Sequence, residues 1–185
     1  MWLRDRPERF VRLAAAMAVA GLTAACFQPV YGERSITGGS AVREAMATVD
    51  VAQIDAPKGT PLSRMAVETR NQLVFDLTGG GGSGTPTYRL VIRLIPSKNT
   101  IVIDPITQRT EFDVFSLDAS YTMVEIGTGK TVLTGSATSR ATYNVPGQEQ
   151  RFMRARGGRA AENEAAASIA DQIRTRLASY FVAGT

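Results

Sequence analysis

The chain has 185 residues, with 21 Lys+Arg against 17 Asp+Glu (net charge +4), 44% hydrophobic residues, one cysteine and no histidine. Without histidine there is no Ser-His-Asp or Cys-His catalysis and no imidazole metal site, and the near-balanced charge lacks the basic footprint of a nonspecific nucleic-acid binder. A lone cysteine makes no internal disulfide, so a hydrophobic core has to hold the body together. At the start, "MWLRDRPERFVR" sets Arg4, Arg6, Arg9 and Arg12 against Asp5 and Glu8. Leu13 to Ala25 is uncharged and mostly apolar or small, the pattern of a secretory signal peptide. It is shorter than the ~20 residues a spanning helix needs.

Leu22-Thr23-Ala24-Ala25 ahead of Cys26 resembles the lipobox of bacterial lipoproteins, with Thr23 where leucine is commonest. The resemblance implies cleavage before Cys26, a diacylglyceryl group on its thiol and an acylated amine. Such chains anchor stably, since each buried CH₂ contributes ~0.8 kcal/mol. The other reading is an ordinary cleaved signal with an incidental cysteine. Phe27 stands where, in such lipoproteins, aspartate holds the protein at the inner membrane; this implies the outer membrane, with the body in the periplasm. The expected plan is a signal peptide over 1–25, a tether over 26–46 and a single α/β sandwich domain over 47–182. Without residues 1–25 the chain keeps 17 basic and 15 acidic residues, a net charge of +2.

Val49, Val51 and Ile54 mark a strand within 47–57, closed by Pro57. Thr60 as N-cap and Pro61 at the first helical position then open a helix of about four turns, with Met65, Ala66, Thr69, Leu73 and Leu77 on its apolar face. Gly79 to Gly82 stop it. "GGGGSGTP" lacks the lysine and the flanking strand and helix of a phosphate loop, and reads as a connector. A strand follows over 87–96, with Tyr88, Leu90, Ile92 and Leu94 on one side; 97–108 reads as a loop with a short extended piece at 101–103. Phe115, Leu117, Ala119, Tyr121 and Met123, then Leu133, Ala137, Ala141 and Tyr143, alternate with polar residues about "GTGK". This is a hairpin of two long strands. Val124 stands where a phosphate-binding loop would need glycine, and strand follows the lysine. Residues 146–159 read as an arginine-dense loop. Ala161, Ala165, Ile169, Ile173, Leu177 and Phe181, spaced by four, give a long helix with an alanine-rich stripe. The expected fold is α+β: two helices packed on one face of a mixed, roughly four-stranded sheet, whose other face, rich in Thr, Ser, Asp and Arg, meets solvent or a partner.

"CFQPVYG" after the lipobox, "TYRLVIRL" and "SRATYNVPGQEQRFMRARGGRAAENEAAASIADQIRTRL" together resemble the LPS-assembly lipoprotein family LptE, in its alphaproteobacterial form. The likeness covers essentially the whole mature chain. It departs at Phe27, where the family usually has glycine, and at Gly157-Gly158. It implies a non-enzyme without cofactor: a plug and assembly partner inside the LptD β-barrel that binds lipopolysaccharide on its way to the outer leaflet. Arg93, Arg109, Lys130, Arg151, Arg154 and Arg156 are the candidates for its phosphates and acidic sugars, because guanidinium forks suit such anions; the alternative at each is a solvated surface charge. Rival readings are an auxiliary lipoprotein of another ABC-type lipid-trafficking system, and a periplasmic hydrolase in which carboxylates such as Asp104 and Glu111 converge.

Overall fold

In a computed structural model of the chain, the described residues are 39–81, 84–102, 110–144 and 151–183. The expected signal peptide, Cys26 and the tether up to residue 38 lie outside them. In chain order the elements are α1 (Gly39–Ala47), β1 (Val49–Val51), α2 (Pro61–Thr78), β2 (Tyr88–Val102), β3 (Thr110–Glu125), β4 (Thr131–Asn144) and α3 (Arg151–Ala183). The α+β reading holds, with helices on one face of a mixed four-stranded sheet ordered β1-β2-β3-β4. One helix was not expected. Residues 39–46, placed in the tether by sequence, belong to α1, and its Val42 and Met46, one turn apart, enter the core.

Local chemistry sets the limits of α2. The Thr60 hydroxyl accepts the Ser63 amide at 3.3 Å, Pro61 takes the first turn, and Gly79 closes the helix at φ 65° with its amide donating to the Phe75 carbonyl at 2.8 Å. The buried residues of α2 are the expected Met65, Ala66, Thr69, Leu73 and Leu77. As the crossover between β1 and β2, α2 lets these strands pair in parallel, Val49 to Val51 beside Tyr88 to Leu90. The other pairings are antiparallel.

β2 is longer than its sequence pattern showed. It runs through Pro96 to Val102, so 97–100 is strand rather than loop and joins the extended piece expected at 101–102; 103–109 lie outside the described residues. The short β1 explains why Pro96 is tolerated. Tyr88 donates to Thr48 and Leu90 accepts from Ala52, so even-numbered residues of β2 direct their backbone groups to the β1 side. Among the described residues no strand pairs with that side beyond Leu90, and the missing N–H of Pro96 falls there.

Between the helices and the sheet, Leu90, Ile92, Leu94, Phe115, Leu117, Ala119, Tyr121 and Met123 meet Ala161, Ala165, Ala166, Ile169, Ala170, Ile173, Leu177 and Ala178. β4 turns Gly135, Ala137, Ser139 and Ala141 to this side, small residues that let the alanine stripe of α3 lie close. Tyr88, Tyr180 and Phe181 close the core near the β3–β4 turn, with ring centroids 5.5 and 5.3 Å apart.

The largest correction concerns 151–159. This segment is helix, not loop, and α3 is a single run of 33 residues. Gly157 and Gly158 do not break it because their bare Cα atoms lie on Tyr143: added Cβ atoms would sit 3.4 and 3.5 Å from its ring and hydroxyl. At 1.5 Å per residue α3 is about 50 Å long, and it runs from Tyr143 on β4, beneath Gly157 and Gly158, to Tyr88 on β2, which meets Phe181.

Candidate functional site

At the end of the sheet away from the β3–β4 turn, the core finishes in charge. Asp113 lies on the core-facing side of β3, two residues before Phe115, and is fully buried. Thr100 donates to its Oδ1 at 2.8 Å, Lys98 Nζ lies 2.7 Å from Oδ2, and Arg154 from the first turn of α3 lies 3.5 Å from the same oxygen. Lys98 also sits 5.6 Å over the Tyr143 ring. Burial pushes the Asp113 carboxyl up, but hydrogen bonds from Lys98, Thr100 and Tyr143 outweigh it and hold the group below its ordinary value. Lys98 is raised, first by its hydrogen bond to Asp113 and then by Tyr143. The side chains of Lys98 and Arg154 remain about half exposed (45% and 50%). One buried anion thus holds two cations whose outer sides face solvent, a rim suited to anions.

The fold does not bring the sequence candidates together. Arg154 belongs to this rim, and Arg156 is exposed one half-turn further along α3. Arg93 is exposed on the opposite, helix-free face of the sheet, as its position between Ile92 and Leu94 requires. Lys130 stands at the β3–β4 turn, and from there back to Asp113 β3 runs about 40 Å. Arg151 is helical, but its side chain lies outside the described residues, as do Cys26, Arg109, Asp104 and the side chain of Glu111. The sequence reading missed Lys98, Asp113 and Thr100. Their signal was strand parity: extending the even-numbered apolar side of β2 past Leu94 reaches Lys98 and Thr100, and extending that of β3 back from Phe115 reaches Asp113.

Among the described residues nothing covers the face of the sheet away from the helices, where β2 sets Val91 and Ile95, 49% and 58% exposed, beside Arg89 and Arg93. On β4 it presents Thr134, Ser136, Thr138, Arg140, Thr142 and Asn144, all exposed, and on β3 Asp118 and Ser120. Among the described residues no group of His, Cys, Asp or Glu has the makings of a metal site, and no helix is long and apolar enough to cross a membrane.

By architecture this is a two-layer α+β body with a basic rim at one end and an open sheet face that is polar along β4 and half apolar along β2. No protein-family model and no curated protein matches the chain. Solved structures do share its fold. One is a candidate lipoprotein from Caulobacter crescentus CB15, with a TM-score of 0.59 at 15% identity over 79% of this chain and 98% of that one. Another is the rare lipoprotein B from Shewanella oneidensis, with a TM-score of 0.52 at 14% identity over 73% and 96%. A neuraminyllactose-binding hemagglutinin homologue assigned in Helicobacter pylori also has a TM-score of 0.52, at 12% identity over 85% and 95%. The shared fold is therefore one that bacterial lipoproteins use.

Proposed function

We propose that this chain is an outer-membrane lipoprotein, anchored through acylated Cys26, that serves as plug and assembly partner of an LptD-like β-barrel and binds lipopolysaccharide in transit to the outer leaflet. The observation that carries the reading is the uncovered sheet face. A body lodged in the polar lumen of a large barrel needs a polar wall of its own, and the outward side of β4 is polar at every position from Thr134 to Asn144. The lipobox-like segment before Cys26, and a fold also found in bacterial lipoproteins, support the anchored part of the reading. Lipopolysaccharide phosphates have their best-organised partners at the basic rim, in Lys98, Arg154 and Arg156, while Arg93 and Lys130 serve other parts of so extended a ligand. No catalytic step is involved.

Affinity capture of the tagged protein from detergent-solubilised outer membranes tests this. A large β-barrel should co-purify with it. Recovery of an inner-membrane transporter complex instead would move the protein to the auxiliary lipoproteins of ABC-type lipid trafficking, and recovery of neither would overturn the reading.

A further inference from the structure

Beside the cations of the rim, the first two turns of α3 carry two apolar side chains that phosphate recognition does not use. Phe152 is 88% exposed and Met153 61%, the two most exposed large hydrophobic residues among those described. Single exposed apolar residues are ordinary. These two are adjacent, and guanidinium groups surround them. Arg156 follows Phe152 by four residues and Arg159 by seven, which puts all three on one side of the helix. That side points away from the sheet, because Gly157, Gly158 and Ala161 occupy the inner side against Tyr143 and the core. Residues 151–161 contain four arginines and no acid. Beyond them Glu162 is bound to Arg64 of α2 at 2.8 Å, and Asp113 is occupied by Lys98 and Arg154.

We propose that Phe152, Met153, Arg156 and Arg159 form an interfacial patch that docks on an anionic phospholipid surface. The aromatic and thioether side chains enter the headgroup–acyl boundary while the guanidinium groups meet lipid phosphates. A second copy of this chain is a poor occupant, since its own arginines would be brought against these. The patch is also preformed: the Asp113–Arg154 ion pair and the packing of Gly157 and Gly158 on Tyr143 hold these turns on the sheet, so docking orders little chain. Docking rests on this end of the body alone, and a negative barrel-capture experiment leaves it standing.

Residues 41–185 form one compact unit, so the chain from residue 26 onward, with Cys26→Ser to remove any lipid, is the protein to use. Vesicles of phosphatidylethanolamine with phosphatidylglycerol should bind it in flotation assays, phosphatidylcholine vesicles much less, and the binding should fall with added salt. Phe152→Ser with Met153→Ser should weaken partitioning by about tenfold or more, and Arg156→Gln with Arg159→Gln by roughly thirtyfold. Both variants should melt as wild type does, because all four side chains are exposed. The matched control, Val67→Ser with Phe75→Ser on the outer side of α2, should bind unchanged. F152W places the chain's sole tryptophan at the patch once residues 1–25 are gone, and its emission should shift to the blue on vesicle addition. Equal binding of the Phe152/Met153 variant, no preference for anionic vesicles, or an unshifted F152W spectrum would each overturn the proposal, the first by reducing the patch to a charged surface for another partner.

Discussion

Asp113 offers the sharpest test of what holds the basic end of the molecule together. Replacing it by Asn keeps the shape and removes the charge. Lys98 then loses a charge-assisted contact worth ~1.5–3 kcal/mol and Arg154 a longer ion pair, but both are about half exposed and can turn to water. The expected cost is about 2 kcal/mol. The reverse change is worse. Lys98→Met with Arg154→Gln leaves a fully buried carboxylate with only the Thr100 and Tyr143 hydroxyls, and stranding a buried charge costs ~3–5 kcal/mol. Combining all three substitutions removes the stranded anion, so the triple variant should be about as stable as Asp113→Asn alone. Urea unfolding of the four proteins at pH 7 should give a coupling energy of about −4 kcal/mol, the cost of the double variant with its sign reversed. Additivity within ~0.5 kcal/mol would refute the cluster as a unit. Acidity supplies a second check. The folded carboxyl is held below its ordinary value of 3.8. Its stabilisation is therefore complete above that value and is lost as pH falls through the lowered folded value. On acidification below about pH 4 the stability gap between wild type and Asp113→Asn should close.

Three further outcomes are expected. Ile173 is fully buried where α3 meets the sheet, so Ile173→Asp should cost several kcal/mol and lower Tm steeply; an unchanged Tm would mean this side of α3 is not in the core. Gly135 lies beneath the ring of Tyr121, where an added Cβ would overlap it; Gly135→Ala should cost ~1–3 kcal/mol in urea unfolding, and Tyr121→Leu in the same chain should recover part of that loss. Pro96 leaves a gap in the outer edge of β2, so Pro96→Val should barely alter stability but should promote edge-to-edge association, seen as self-association by sedimentation velocity.

Where pattern and tertiary packing agree, the sequence was readable. The apolar side of α2, its Thr60 cap and Gly79 stop, and the alternation of β3 and β4 all fell where period and turn chemistry placed them. What escaped it were features decided by neighbours far along the chain. α1 is too short for Val42 and Met46 to establish a period, and an isolated helix of nine residues is marginal. Pro96 reads as a strand terminator unless β1 is known to be short. Gly157-Gly158 reads as a helix breaker, at ~1 kcal/mol per glycine relative to alanine, unless Tyr143 is known to lie beneath it. The basic candidates suffered most, because charge density along the chain says nothing about which sheet face or end a residue reaches. Arg93, Lys130 and Arg154 ended on three separate surfaces.

The helical state of 151–159 changes how the arginines can act and how they can be tested. In a flexible loop, Arg151, Arg154 and Arg156 would fold around an anion at an entropic cost, and all three could be exchanged without touching the fold. On a helix their directions are set by its register. Arg154 points inward and shares the buried Asp113 with Lys98, so its replacement disturbs stability as well as charge. Arg156 and Arg159 point outward and have no such duty. A loss of ligand binding in an Arg154 variant therefore has two causes, whereas the same loss in Arg156→Gln with Arg159→Gln has one. Asp113 spends its charge on fixing the helix to the sheet, and in doing so presents the remaining guanidinium groups on a rigid support, where less freedom is lost on binding.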